Sequence, residues 1–228
     1  MNRTQVIQFT RAGRGTLAAP ALVMATLAAG AILAGHGAGI NVLRLTRDPS
    51  AIHYGRPSDG AISLLGVVCW AACFGGLVVT ALARRALGDH ERFRVFLANA
   101  GLALMLCLDD ALLIHETAGR IGDVMRVGIL AVYGLVAAKW LAVSKPWRDR
   151  AAFPAVVVSL GLLVASALLD LVDDLTDQAS DGFGNVLDDA LKIGGIAAFV
   201  VWTAGSIWTA LSSPAISPPL SRIAAGRK

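Results

Sequence analysis

Three short runs in this 228-residue chain set carboxylates beside apolar residues. The first reads Leu108-Asp109-Asp110-Ala111-Leu112-Leu113-Ile114-His115-Glu116, the second Leu169-Asp170-Leu171-Val172-Asp173-Asp174-Leu175-Thr176-Asp177, and the third Val186-Leu187-Asp188-Asp189-Ala190-Leu191-Lys192. A carboxylate can hold a proton, ligate a hard cation through oxygen, or act as a general acid or base. Spacing decides which groups act together. At about 100° per residue, Asp109 and Glu116 share one helix face and Asp110 lies about a quarter turn away. Asp170, Asp173, Asp174, Asp177 and Asp181 fall in one sector. Lys192 stands four residues from Asp188 and three from Asp189, within reach of either. Carboxylates crowded on one face repel, and a bound cation or retained protons relieves the repulsion. Lys192, Arg126 and Arg120 are the internal counter-charges, too few for these acids.

The expected ligand set is therefore Asp109, Asp110, His115, Glu116, Asp170, Asp173, Asp174, Asp177, Asp188 and Asp189, with Lys192 tuning their charge. Oxygen donors without thiolates favour calcium or magnesium, with manganese or zinc as further candidates. The three cysteines, Cys69, Cys73 and Cys107, lie inside apolar stretches and form no disulfide framework.

The elements that must carry these residues follow from hydropathy. Apolar residues make up 56 % of the chain, charged residues only 16 %, and mean hydropathy is +0.65. A soluble domain carries about 25 % charged residues. Six apolar stretches are long enough to cross a bilayer as helices, at roughly 17–35, 60–83, 93–114, 124–143, 151–171 and 186–211. No alternating strand pattern competes, so the expected fold is all-α, a bundle of six transmembrane helices. Residues 1–16 and the proline-containing 212–228 flank the membrane domain, the latter as an expected disordered tail. Arg3, Arg11 and Arg14 before the first stretch resemble a signal peptide. An apolar core of about 18 residues exceeds the usual 7–15, so the segment is read as an uncleaved anchor.

Alternate connections differ in charge. One side holds 14 of the 20 Lys and Arg and 3 of the 16 acids; the other holds 6 and 13. The basic side predicts both termini in the cytoplasm. The three acidic runs then sit at one depth, near the extracytoplasmic boundary. Ionisable groups at that depth usually face a bundle interior or a wet cavity. Segments three–four and five–six also share a plan, an apolar helix, an acidic end, a glycine-containing turn and a returning helix, as an internal repeat would.

Two local resemblances bear on the acids. Residues 177–188 resemble an EF-hand calcium loop: Asp177, Asp181, Asn185 and Asp188 match ligand positions one, five, nine and twelve, and Gly182 matches the invariant glycine. Ala179, Gly184 and an Asp at the last position depart from it. The resemblance implies hard-cation binding in this loop and covers about a twentieth of the chain. The run Leu187–Gly194 resembles the last helix of microbial rhodopsins, where an Asp four residues before a Lys is the counter-ion of a retinal Schiff base. Six spans instead of seven, 6 % aromatic residues and a Lys192 near the helix end set the chain apart from that family.

No phosphate-binding loop, Ser/His/Asp arrangement or HExxH occurs. The expected function is a multi-pass cell-membrane protein that binds a cation in an acidic extracytoplasmic vestibule, as a channel, transporter or cation-sensing subunit. The alternative is a metal-dependent enzyme, a hydrolase or transferase acting on a lipid at the outer leaflet, with His115 or Glu116 as base. The expected partners are the bilayer, a cation and, for the enzyme, a lipid substrate; nucleic acid is not among them.

Overall fold

The computed structural model describes residues 18–40, 60–112, 114, 121–146, 152–176 and 182–212. Six long helices carry them: α1 (Ala18–Gly37), α2 (Ala61–Ala86), α3 (His90–Leu112), α4 (Asp123–Ser144), α5 (Phe153–Thr176) and α6 (Gly182–Ser212). Each contains a stretch long and apolar enough to span a membrane. The all-α expectation holds, with no strand among the described residues. Helix limits fall within a few residues of the apolar stretches. Pro154 occupies the first turn of α5, where its missing N–H breaks no helical bond. The terminal segments 1–16 and 213–228 lie outside the described residues.

The packing is uneven. α6 is the central helix, against α1, α5 and α2; α2 and α3 form a closely packed hairpin; α4 packs mainly on α3. The α3–α4 and α5–α6 pairs therefore do not pack alike, and the shared sequence plan does not extend to equivalent hairpins. The main core runs along α6 through Ile196, Phe199 and Trp202 and meets Trp70 and Leu77 of α2, while Val186 and Ala190 pack with Ile32 of α1 in a smaller cluster.

Small residues bring α6 close to its neighbours, the usual device where lipid offers no hydrophobic drive between helices. A Cβ on Gly195 would lie 2.7 Å from Leu163 Cγ and 3.2 Å from the Leu163 backbone nitrogen. Beside it, Ser159 Oγ donates to the Gly195 carbonyl at 2.9 Å. Gly195→Val is expected to push α5 off α6, as overpacking that costs about 1–3 kcal/mol does. The check is a lowered apparent melting temperature in detergent.

The α2–α3 junction sets the register of that hairpin. Gly88, at φ +75°, takes the left-handed position after α2 that a side chain would disfavour. Asp89 N–H donates to the Arg84 carbonyl at 2.9 Å and Gly88 N–H to that of Arg85 at 3.0 Å, which closes the helix end. Asp89 then caps α3 by accepting from Arg92 N–H at 3.1 Å, and its carboxylate faces the buried Arg84 guanidinium at 3.7 Å. Two helices pinned this way run side by side. Val67 meets Cys107 through its carbonyl, and Trp70 meets Asp110 near the acidic end.

Candidate functional site

The site lies where the acidic ends of five helices converge. Asp109 and Asp110 sit in the last turn of α3, each 8 % exposed. Consecutive residues point about 100° apart, so the two carboxylates face different neighbours. Asp110 faces α2 and α6. Its Oδ1 lies 2.7 Å from Lys192 Nζ, and its Oδ2 accepts from Trp70 Nε1 at 2.8 Å. Asp109 faces α4 and accepts from the Tyr133 hydroxyl at 2.5 Å. One turn before Lys192 on α6, Asp188 accepts from Ser166 Oγ of α5 at 2.5 Å.

Lys192 marks the main difference from the sequence reading. Local spacing offered Asp188 or Asp189 as its partner. The ion pair shown is instead to Asp110, on another helix. The physical reason is directional: α6 presents Lys192 to α2 and α3, whereas Asp188 turns toward α5. A single lysine one and a half turns into the span thus neutralises an acid contributed by α3. Asp110 is largely shielded and the Lys192 side chain about a third exposed.

A small cavity opens beside this pair, about 30 Å³ in volume. Ser63 and Gly66 of α2, Asp110 of α3, and Asp189 and Lys192 of α6 supply its polar wall, with Ile193 and Ile196 completing it. Gly66 keeps the wall thin: a Cβ there would come within 3.2 Å of Ile196 Cδ1 and 4.0 Å of Asp110 Oδ2. A polar space of this size holds one or two water molecules.

Of the predicted ligands, Asp109, Asp110, Asp188 and Asp189 lie on α3 and α6, with the charge-tuning Lys192 on α6 paired to Asp110. Asp170 lies one turn beyond Ser166 on α5, half-buried. His115, Glu116 and Asp177 lie outside the described residues, as do the side chains of Asp173 and Asp174 and residues 177–181 of the calcium-loop resemblance. The backbone of the rest of that stretch is helical from Gly182, where an EF-hand loop makes its sharp turn. Among the described residues, no three His, Cys, Asp or Glu side chains are gathered as a metal-holding group.

The acids' uncharged partners escaped the sequence reading. Trp70, Tyr133 and Ser166 each present one hydroxyl or indole N–H within an otherwise apolar helix, and each donates it to an acid. The available signal was position: Trp70 and Tyr133 each lie about ten residues inside their helix from its acidic end.

Six apolar helices with a polar core at one end define a multi-pass membrane protein. The chain belongs to the family described as "Domain of unknown function (DUF8692)", whose model matches residues 17–205. No curated protein and no solved structure matches it.

Proposed function

We propose that the protein is a cation-responsive membrane protein, a channel, transporter or sensing subunit, in which Asp110 exchanges its lysine partner for a cation entering through the small cavity. The positive-inside charge bias supports placing the acidic end on the extracytoplasmic face of the cell membrane. The observation that carries the reading is the Asp110–Lys192 pair. A charged pair at membrane depth, opening on a polar cavity, is expensive to maintain and typical of ion and proton pathways.

The cation that suits this geometry best is a proton. The cavity accommodates one or two waters, and two described carboxylates, Asp110 and Asp189, line it. A calcium ion takes six to eight oxygen ligands. A divalent ion there would also meet the ammonium of Lys192. A proton entering there carries a single charge and needs no shell of oxygen ligands. A divalent ion would require additional oxygen ligands, such as Asp170 or the acids flanking α4 and α5.

The test is the apparent melting temperature of the purified protein across pH, with and without calcium, magnesium, manganese or zinc. Wild type is expected to shift by several degrees with acidification. Asp110→Asn, which keeps shape and removes charge, is expected to lose that shift while remaining folded. A metal-dependent shift that Asp110→Asn abolishes would assign the site to that metal instead. A wild type indifferent to every cation would overturn the proposal.

A further inference from the structure

α4 is the least embedded helix of the bundle. Among its described side chains Trp140 alone is buried, at 3 % exposure, while Val124, Val127, Val132 and Leu135 are all more than half exposed. Two directed attachments are seen among its described residues. Near the basic end, Trp140 Nε1 donates to the buried Asn99 Oδ1 of α3 at 2.8 Å, and the indole packs edge-on against Trp202 of α6 at 6.2 Å. At the acidic end, Tyr133 donates to Asp109. The two attachments differ in kind. Trp140 is fixed by shape inside an aromatic column that continues through Phe199 to Trp70. Tyr133 is held by one hydrogen bond to an ionisable group of the candidate site.

A hydrogen bond to a carboxylate is roughly twice as strong as one between neutral groups. The Tyr133 attachment therefore depends on the charge of Asp109. Among the described residues, the charged and titratable groups around Asp109 include Asp110 on its own helix, Tyr133 on α4 and Lys192 on α6; α2 contributes the uncharged Trp70. A proton or cation entering this cluster lowers the negative charge that Tyr133 binds. Helices with few buried contacts are where local opening occurs.

We propose that α4 is a pivoting helix, hinged at Trp140 and latched at Tyr133–Asp109, and that neutralising the acidic site releases the latch so that the acidic half of α4 swings from α3. The trigger rests on the cation-responsive reading above; the hinge and latch rest on the Trp140 and Tyr133 contacts.

The experiment measures two spin-label distances in lipid nanodiscs, in a background with the three cysteines replaced by alanine. One pair, at Leu65 and Val127, reports the acidic halves of α2 and α4. The other, at Leu82 and Leu141, reports the basic halves. All four positions are exposed. Tyr133→Phe and Asp109→Asn are expected to shift the first pair to longer, broader distances and to leave the second unchanged. Acidifying wild type is expected to do the same. Deuterium uptake of unlabelled wild type and Tyr133→Phe, faster over 124–134 than over 138–144 only in the variant, confirms that the fold persists. An unchanged first pair in both variants, or equal broadening of both pairs, would overturn the hinge. Opening in Tyr133→Phe without any response of wild type to acid or metal would overturn the trigger and leave the hinge standing.

Discussion

Lys192→Met is expected to destabilise the bundle more than any other single change at the acidic end. Methionine retains much of the length and apolar stem but removes the ammonium 2.7 Å from Asp110. Asp110 is then a shielded carboxylate whose one remaining described donor is the Trp70 indole. Breaking a buried pair from one side costs about 3–5 kcal/mol, because the surviving charge stays desolvated. The partial exposure of Lys192 places the expected loss at the lower end of that range. Asp110→Asn strands the lysine instead, but Asp188, one turn away on α6, and Asp109 remain near its ammonium, so its loss is expected to be smaller. The double variant Asp110→Asn/Lys192→Met is expected to recover most of the stability lost in Lys192→Met, since it removes both charges. Chemical denaturation or thermal melting of the four proteins in one detergent gives the coupling directly. A double variant as unstable as the sum of the singles would show that the two side chains act independently. This cycle also separates stability from response: the double variant is expected to fold and yet show no pH-dependent melting shift.

The sequence made the six helices and the acidic end legible for physical reasons that do not depend on tertiary detail. A bilayer demands about 20 apolar residues per span, and charge excluded from those spans must appear at their ends. Helix phase also separated Asp109 from Asp110 by a quarter turn, which is why the two face different helices. What phase could not supply was the identity of those helices. Lys192 had acids on its own helix three and four residues away, and local spacing gave no reason to look to α3. The choice was made by packing: α2, pinned by Gly88 and Asp89, lies beside α3, and α6 packs on α2 within reach of the end of α3. The same gap hid Trp70, Tyr133 and Ser166. A tryptophan or tyrosine inside an apolar stretch reads as core or interfacial anchor, and a serine in a span reads as a small packing residue. Their role follows only from an acid placed opposite by a different helix. The unequal embedding of α4 was equally hidden, because its mean hydropathy resembles that of its neighbours. Hydropathy measures preference for an apolar medium and does not distinguish lipid from protein.

That indifference gives Trp140→Ala an unusual expected phenotype. In a water-soluble core, truncating a buried tryptophan costs about 3–5 kcal/mol. Here most exposed described residues of α4 are apolar, with Lys139 toward the basic end, so a helix that leaves the bundle finds lipid nearly as acceptable as protein. The expected result is undocking with helical content retained: unchanged far-ultraviolet dichroism, loss of the Leu82–Leu141 distance peak, and faster hydrogen exchange along the whole of α4. Trp140→Phe separates the two parts of the anchor. Phenylalanine preserves much of the contact with Trp202 but leaves the Asn99 amide oxygen, itself 3 % exposed, without its indole donor. An unpaired buried acceptor costs about 1–3 kcal/mol, so Trp140→Phe is expected to fall between wild type and Trp140→Ala. Adding Asn99→Leu to Trp140→Phe is expected to restore docking, because two apolar groups in place of a broken hydrogen bond leave nothing unsatisfied. If Trp140→Ala left α4 docked, Tyr133 and the remaining α3–α4 contacts would be sufficient to hold the helix, and Trp140 could not be the hinge.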